Sequence, residues 1–220
     1  MIRPFGEAAL LVGTGDASRA QALAADFARV PIPGVTATVP GLDSLLVEFD
    51  PDAASPEAVV SALEVRLTSV PPFATGGRQR VIPVLYGGEW GPDLPGVAAL
   101  TGLSEAQVVE LHASTELRVL FGGFAPGFAY LGDLPDALRV PRLDTPRTRT
   151  EAGSVAVAGA MSGVYPAALP GGWRVIGRTP VTVFDPRRDP PAYLGPGDVV
   201  RFLPIDVGEW ERGAGAPADW

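Results

Sequence analysis

The sequence predicts an α+β protein in which a small ferredoxin-like N-terminal domain is followed by a β-barrel domain. Three observations lead to this fold class: alternating strand and helix patterns before residue 70, a cluster of Pro and Gly over residues 70–77, and only short strands with Gly and Pro turns after Glu116. Such strands and turns are typical of a closed or partly closed barrel. The predicted boundaries are residues 1–74 for the first domain, residues 79–206 for the second and residues 207–220 for a flexible tail.

The first domain is predicted from five elements in the order β-α-β-β-α. Strand patterns cover residues 8–12, 35–39 and 44–49. The two helix patterns each carry an apolar stripe, formed by Ala20, Leu23, Ala24 and Phe27 and by Val59, Leu63, Leu67 and Val70. This order predicts a split βαβ unit of the ferredoxin-like type. Because the domain has no cluster of polar residues, we expect a scaffold or a partner interface.

The second domain is predicted to open with a strand over residues 80–86. A short helix is predicted near residues 97–100, and another begins at the capping box of Ser104 and Gln107 and ends at about His112. The remaining strands are predicted over residues 117–121, 155–158, 173–176, 181–184 and 199–202.

Composition excludes several classes of partner. The net charge of -8 argues against nonspecific binding to nucleic acid or to an anionic membrane. The sequence has no apolar run of about 18 residues and no N-terminal stretch of signal-peptide length. We therefore predict a cytoplasmic protein.

Missing residue types exclude several kinds of chemistry. The chain has no Cys, and all 17 basic residues are Arg. Thiolate nucleophiles, Schiff-base lysines, biotin attachment and a P-loop lysine are therefore ruled out. His112 is the single histidine, so a multi-histidine metal site within one chain is impossible and no metal site is predicted. Phosphate or carboxylate must be bound by Arg, backbone N–H groups or hydroxyls.

Residues 121–178 carry the pattern that points to function. Gly and Pro are too dense there for a helix, and aromatic residues and arginines stand between them. Loops of this kind on a rigid sheet often carry binding and catalysis. Arg142 and Arg147 each follow a Pro, which stiffens the loop, whereas Arg149 does not and is expected to be a surface charge.

Several candidates also have a structural interpretation. Phe124 and Phe128 either form the wall of a pocket or plug one end of the barrel. Tyr130 either offers its hydroxyl to a ligand or packs half-buried. His112 lies near a helix C-terminus, which favours its protonated form, and is either an acid–base group or a structural residue.

Motifs along nearly the whole chain resemble those of one family. They lie at residues 5–10, 40–47, 91–94, 111–112, 123–131, 141–142, 152–156 and 170–173. In these motifs the chain resembles the B subunit of 5-oxoprolinase, also known as allophanate hydrolase subunit 1. The same group includes a sporulation-kinase inhibitor and the carboxyltransferase region of urea carboxylase.

The resemblance implies a cyclophilin-like barrel that follows the ferredoxin-like domain along the chain. It also implies ATP-dependent hydrolysis of 5-oxoproline to glutamate by a complex of several subunits. We expect the chain to be inactive alone, and a larger carboxyltransferase-domain subunit of the C type to complete its active site. The A-type component of the same complex is a further expected partner. ATP is expected at the complex, whether or not this chain contacts it.

Four residues are predicted to be catalytic, namely Arg142, Arg147, Tyr130 and His112. The residues predicted to bind substrate or phosphate are Phe124, Pro126, Gly127, Phe128, Ser154, Ser162, Tyr165, Gly171, Gly172, Arg178 and Thr179. None of the hydroxyl groups has a base beside it in sequence, so no serine-hydrolase triad is predicted.

Two alternatives remain open. One is a regulatory binding protein that docks on a histidine kinase, which predicts an exposed apolar patch at the barrel loops. The other is a subunit for allophanate or urea chemistry, because the sequence does not distinguish 5-oxoproline from another small amide.

Overall fold

The computed structural model describes residues 1–71 and 77–213. The chain divides into two compact units, Met1–Gly76 and Gly77–Trp220. Residues 72–76 of the predicted linker and residues 214–220 of the predicted tail lie outside the described residues.

A four-stranded antiparallel sheet and two helices form the first unit. Its elements are β1 (Ile2–Pro4), β2 (Ala9–Gly13), α1 (Ala17–Arg29), β3 (Val35–Pro40), β4 (Ser44–Phe49) and α2 (Pro56–Ser69). The strand order is β1-β2-β4-β3, so that β4 lies between β2 and β3 and runs antiparallel to both. The edge strand β1 is not predicted, because three residues are too few to show a periodic pattern.

Both helices of this unit begin at a capping side chain and bury an apolar stripe. The Asp16 carboxylate accepts a hydrogen bond from the Arg19 amide at 2.8 Å, and Ser55 Oγ accepts one from the Ala58 amide at 3.3 Å. The buried core consists of Leu10, Val12, Leu23, Phe27, Leu45, Val47, Phe49, Val59 and Leu63. This burial is what stabilises helices that would be marginal alone at this length.

The described residues form thirteen strands, five α-helices and one short 3-10 helix (Asp136–Leu138), and most of these elements belong to the second unit. Its elements are β5 (Gln79–Tyr86), α3 (Leu94–Thr101), α4 (Glu105–Ser114), β6 (Leu117–Gly122), β7 (Ala129–Gly132), β8 (Arg147–Thr150), β9 (Ser154–Ala158), β10 (Met161–Val164), β11 (Leu169–Gly171), β12 (Arg174–Arg178), β13 (Val199–Pro204) and α5 (Val207–Gly213). Seven strands close into a barrel in the order β10-β7-β6-β13-β5-β12-β9, and β8 pairs separately with β11. The predicted barrel is thus confirmed, and its closed form is consistent with a cyclophilin-like barrel.

Apolar side chains fill the barrel, and two helices cover part of it. The core includes residues from β5, β6, β7, β9, β12 and β13, and α3 and α4 pack against β12 and β13. The predicted capping box starts α4, because Ser104 Oγ accepts from the Gln107 amide at 3.2 Å and the Ser104 amide donates to Gln107 Oε1 at 2.9 Å.

One prediction for this unit is wrong, and part of the predicted tail has regular structure. Residues 181–184 form no strand; the Val181 amide donates instead to Thr179 Oγ1 at 3.1 Å, next to Pro180, which has no N–H to give to a ladder. Part of the predicted flexible tail is the helix α5. Asp206 and Glu209 stabilise its start by reciprocal side-chain-to-amide hydrogen bonds of 2.7 and 2.9 Å.

In the described residues, no helix has the length and apolar character needed to span a membrane. Residues 1–71 and 77–213 also contain no group of three or more acidic or histidine side chains placed to hold a metal ion.

Candidate functional site

Aromatic rings from two of the family motifs form one cluster with the ring of Tyr165. The buried ring of Phe128 lies at its centre, 5.5 Å from the ring of Tyr165 and 5.7 Å from that of Trp173, measured between centroids. Phe124 and Tyr130 complete the cluster at 5.3 and 4.9 Å from Phe128. All four pairs meet edge to face, which is a favourable geometry for aromatic rings.

The loop between β6 and β7 presents Phe124 to solvent. Its ring is 58% exposed, whereas Phe128 is buried. The backbone of Phe124 has a φ of 67°, a left-handed conformation that is uncommon for a bulky residue and that clusters at ligand sites. Of the two interpretations of these aromatics, Phe128 therefore fits the plug and Phe124 fits an open wall. Pro126 is exposed in the same loop.

Gly127 lets the loop pack closely against a neighbouring segment. Its φ is 83°, and an added Cβ would lie 2.9 Å from Cγ of Phe184. Both the conformation and the lack of space require glycine at this position.

The Gly171–Gly172 turn lies over the buried Tyr165. An added Cβ on Gly171 would overlap the Tyr165 hydroxyl and lie 2.8 Å from Cζ. The carbonyl of Gly172 accepts a hydrogen bond from the Leu143 amide at 2.8 Å, which ties the turn to the segment that carries the predicted arginines. The turn therefore brings that segment and Tyr165 together.

The charges of Arg142 and Arg147 both influence the ionisation of Tyr165. Burial raises the pKa of the Tyr165 phenol, and the positive charges of the two arginines oppose that rise. Arg142 is exposed, whereas Arg147 is half-buried and forms an ion pair of 2.6 Å between Nη2 and Oδ1 of Asp93. Arg149 is exposed and pairs with Glu151, in line with its prediction as a surface charge.

Tyr165 also lines a cleft of about 280 Å³. Arg178 and Thr179 line it, and Arg178 Nε donates to the carbonyl of Ala152 at 2.9 Å. The Arg178 guanidinium also lies over the ring of Trp90, at 5.7 Å from its centroid. Thr179 Oγ1 already accepts a hydrogen bond from the Val181 amide, so this hydroxyl stabilises the local turn. Ser154 is buried in β9.

His112 and Ser162 belong to neither site, because both are fully buried. His112 Nδ1 lies 2.8 Å from the Tyr86 hydroxyl and Nε2 lies 2.9 Å from Ser162 Oγ, which donates in turn to the carbonyl of Ala156 at 3.2 Å. These partners indicate a neutral ring with its proton on Nε2. Burial lowers the pKa of His112 to about 3, so the protonated form expected from its helix position is wrong.

Comparisons with known proteins agree with the motifs. A family model for the carboxyltransferase domain, subdomain C and D, matches residues 1–194. The chain belongs to this family. It is 47% identical to the B subunit of 5-oxoprolinase from Escherichia coli O157:H7 over 81% of this chain and 82% of that one. It is 38% identical to the B subunit of 5-oxoprolinase from Bacillus subtilis (strain 168) over 93% of this chain and 92% of that one.

A solved structure also matches this carboxyltransferase domain. The crystal structure of TTHA0988 in space group P212121 superposes with a TM-score of 0.80 at 39% identity and covers 94% of this chain. The present chain spans only 40% of that chain's length.

Within this carboxyltransferase domain, the structure groups the predicted residues in three places. The aromatic cluster and the Arg142–Arg147 segment share Tyr165, which also lines the cleft of Arg178. His112 and Ser162 lie in the interior, where they can orient the barrel wall but cannot reach a ligand. No residue of the described chain forms a nucleophile–base pair open to solvent around Tyr165.

Several residues of the carboxyltransferase domain are missed by sequence reasoning. Asp93 holds Arg147, Tyr86 is the partner of His112, and Trp90 lies under Arg178 and against Trp210 with ring centroids 4.5 Å apart. Of these residues, Asp93 alone could have been recognised from the sequence, because it lies in the family motif at residues 91–94. Its ion pair with a residue so distant in sequence is not visible there.

Proposed function

We propose that the chain is the B-type component of an ATP-dependent 5-oxoprolinase, which opens the lactam of 5-oxoproline to give glutamate. The observation that carries this proposal is the pair of arginines at Tyr165 beside an open aromatic wall at Phe124. The names of the two curated relatives support it.

The residues present suit a substrate with anionic oxygens. Arg142 and Arg147 offer planar guanidinium groups for a carboxylate or phosphate, and Phe124 and Tyr130 provide aromatic surface for the ring. ATP would supply the phosphoryl group that turns the lactam oxygen into a leaving group. Water would then attack the activated carbon, the lactam C–N bond would break, inorganic phosphate would leave as the new carboxylate forms, and the ring nitrogen would become the amine of glutamate.

A partner is needed to complete this chemistry. The chain has no P-loop lysine and no biotin attachment site. We propose that it is inactive alone and that it meets a larger carboxyltransferase-domain subunit of the C type, together with the A-type component, in the cytoplasm. The TTHA0988 chain extends beyond the part that matches this chain. This extra length supports the proposal that a second component completes the complex.

We also propose that the first unit is ferredoxin-like and serves as a scaffold or partner interface. The placement of β4 between β2 and β3, with α1 joining those two, supports a split βαβ unit.

The test measures ADP release on addition of 5-oxoproline to the mixed subunits, with each subunit left out in turn. We expect release to disappear when this chain is omitted. Release that persists without it would overturn the proposal and favour the kinase-binding regulator, for which the 58% exposed ring of Phe124 is a suitable contact. Turnover of allophanate or urea in place of 5-oxoproline would support the other alternative.

A further inference from the structure

The cleft beside Tyr165 has one charged side chain. Among the described residues that line it, Arg178 is the only charged one, and the others are apolar residues, prolines, Gly153, Tyr165 and threonines. Its volume of about 280 Å³ lies at the small end of ligand pockets, which are typically about 300–1,000 Å³. The cleft therefore suits a small ligand with a single anionic group.

Two contacts hold the guanidinium group of Arg178. Its Nε donates to the Ala152 carbonyl at 2.9 Å, and its central carbon lies over the Trp90 ring at 5.7 Å from the centroid. The ring contact uses no N–H donor, because a cation is attracted to the face of an aromatic ring by the ring's quadrupole. The donors on Nη1 and Nη2 therefore remain, and they make no hydrogen bond with any residue of 1–71 or 77–213.

No carboxylate of the described chain neutralises Arg178 by an ion pair. Glu151, the acidic residue that precedes Ala152, pairs instead with Arg149 at 2.6 Å. A guanidinium that is fixed in position and free at Nη1 and Nη2 matches the two oxygens of a carboxylate.

Trp210 of α5 gives the cleft an aromatic wall. Its ring lies 4.5 Å from the ring of Trp90, measured between centroids. Trp90 thus contacts both Trp210 and Arg178, so it holds the wall and the positive charge side by side. Because Trp210 lies beyond the residues 1–194 that match the family model, this wall comes from outside the matched domain.

The turn at Gly153 gives the cleft a fixed shape. Its φ is 80°, and an added Cβ would overlap the carbonyl oxygen of Thr179. The Gly153 amide donates to the Tyr165 carbonyl at 2.8 Å, and the Thr179 amide donates to the Gly153 carbonyl at 2.9 Å. Since these backbone groups are paired with one another, recognition of a ligand's charge is left to Arg178.

We propose that this cleft is a second ligand site, which binds a small organic carboxylate. The carboxylate oxygens accept from Nη1 and Nη2 of Arg178, and the uncharged body of the ligand packs against Trp210. 5-Oxoproline belongs to this class, with one carboxylate on a neutral ring, and its choice as a probe rests on the proposed function. Glutamate does not, because its ammonium group would meet no carboxylate among the described residues that line the cleft.

The test measures binding of small probes to the full chain by calorimetry. 5-Oxoproline and cyclopentanecarboxylate both carry a carboxylate on a five-membered ring. 2-Pyrrolidone is the lactam ring without the carboxylate, and inorganic phosphate is an anion without an apolar body. We expect the two carboxylates to bind at least about tenfold more tightly than 2-pyrrolidone or phosphate.

Arg178→Ala is expected to weaken binding of the two carboxylates by about 10- to 100-fold, because a charge-assisted, bidentate contact is lost. Arg174→Ala is the matched control. Arg174 lies on the same strand, and its Nε also donates to a backbone carbonyl at 2.9 Å, that of Pro141, but it does not line the cleft. This control should bind both carboxylates as wild type does.

The aromatic wall is tested by two changes at Trp210. Trp210→Ala is expected to weaken binding of the carboxylates about tenfold, because the body of the ligand loses its packing surface. Trp210→Phe keeps a ring at this position and should bind within about twofold of wild type.

The proposal is overturned if neither carboxylate binds the wild-type chain, or if 2-pyrrolidone or phosphate binds as tightly as they do. It is also overturned if the Arg178→Ala chain is folded and binds the carboxylates as tightly as wild type. Binding that is lost in the double variant Arg142→Ala, Arg147→Ala and kept in Arg178→Ala would place the carboxylate at the other site.

Binding of cyclopentanecarboxylate without 5-oxoproline supports the cleft and removes 5-oxoproline as its ligand. The ADP-release test omits whole subunits and does not depend on where the carboxylate binds. The two proposals therefore fail separately.

Discussion

Gly171 lies directly against the hydroxyl of Tyr165, so that no side chain can be added at this position without moving the ring. Tyr165 is buried and shared by the aromatic cluster and the cleft of Arg178. Any shift of its ring therefore disturbs both sites.

We expect Gly171→Ala to lower the free energy of unfolding by about 1–3 kcal/mol, because the added methyl group overpacks the contact with Tyr165. Gly172→Ala is the matched control, since its Cβ would meet Pro146 at an ordinary 3.5 Å. Urea unfolding of both variants measures the difference. Equal stabilities for the two would contradict the packing described for Gly171.

Two ion pairs of similar length are expected to differ in their contribution to stability. Asp198 is buried and accepts from the Arg78 amide at 2.9 Å, from Arg78 Nη2 at 3.1 Å and from the Gly195 amide at 3.0 Å. Asp136 pairs with Arg139 at 2.8 Å, but its side chain is 86% exposed. We expect Asp198→Ala to cost about 3 kcal/mol, because two backbone amides and the Arg78 guanidinium lose one buried acceptor, and Asp136→Ala to cost less than about 1 kcal/mol. Denaturant unfolding compares them, and a large effect at Asp136 would be evidence against this ranking.

His112 is expected to make stability depend on pH. Its pKa is about 3 in the folded chain and about 6.5 in the unfolded chain, so only the unfolded chain takes up a proton between these values. The stabilisation is complete above about pH 6.5 and decreases by about 1.4 kcal/mol for each pH unit below it.

Urea unfolding between about pH 7 and pH 5 measures this slope, above the range in which ordinary carboxylates titrate. His112→Gln is expected to be less stable at pH 7 but to lose the slope. If wild type and His112→Gln show the same slope, the histidine is not buried as described.

The two arginines at Tyr165 are expected to be needed for activity. Changing both Arg142 and Arg147 to Ala should lower 5-oxoproline-dependent ADP release by the assembled subunits by about 100-fold or more, because the charge-assisted contacts to the substrate are lost. Arg149→Ala is the matched control, from the same strand as Arg147, and should keep wild-type release. Turnover retained by the double variant would remove both residues from the proposed site.

Patterns within a few neighbouring residues were sufficient to predict most of the elements. The apolar stripes of α1 and α2 and the capping box of Ser104 and Gln107 are local features, and each appears where the sequence places it. The wrongly predicted strand at residues 181–184 has the same local character. It forms only an isolated bridge between Phe184 and Ala192, because Pro180 and the bond from Val181 to Thr179 redirect the chain. The motifs also identified the family, since they extend over nearly the whole chain.

The tertiary structure decided which side chains meet and which are buried. Asp93 and Arg147 are 54 residues apart, and His112 and Ser162 are 50 apart, so neither pair leaves a pattern along the chain. Closure of the barrel brings them together and removes water from His112. The resulting desolvation outweighs the effect of the helix end on its charge, because transfer of a charge from water costs more than a helix dipole returns. Element positions follow from local geometry, whereas pairing and ionisation depend on the environment that only the folded chain creates.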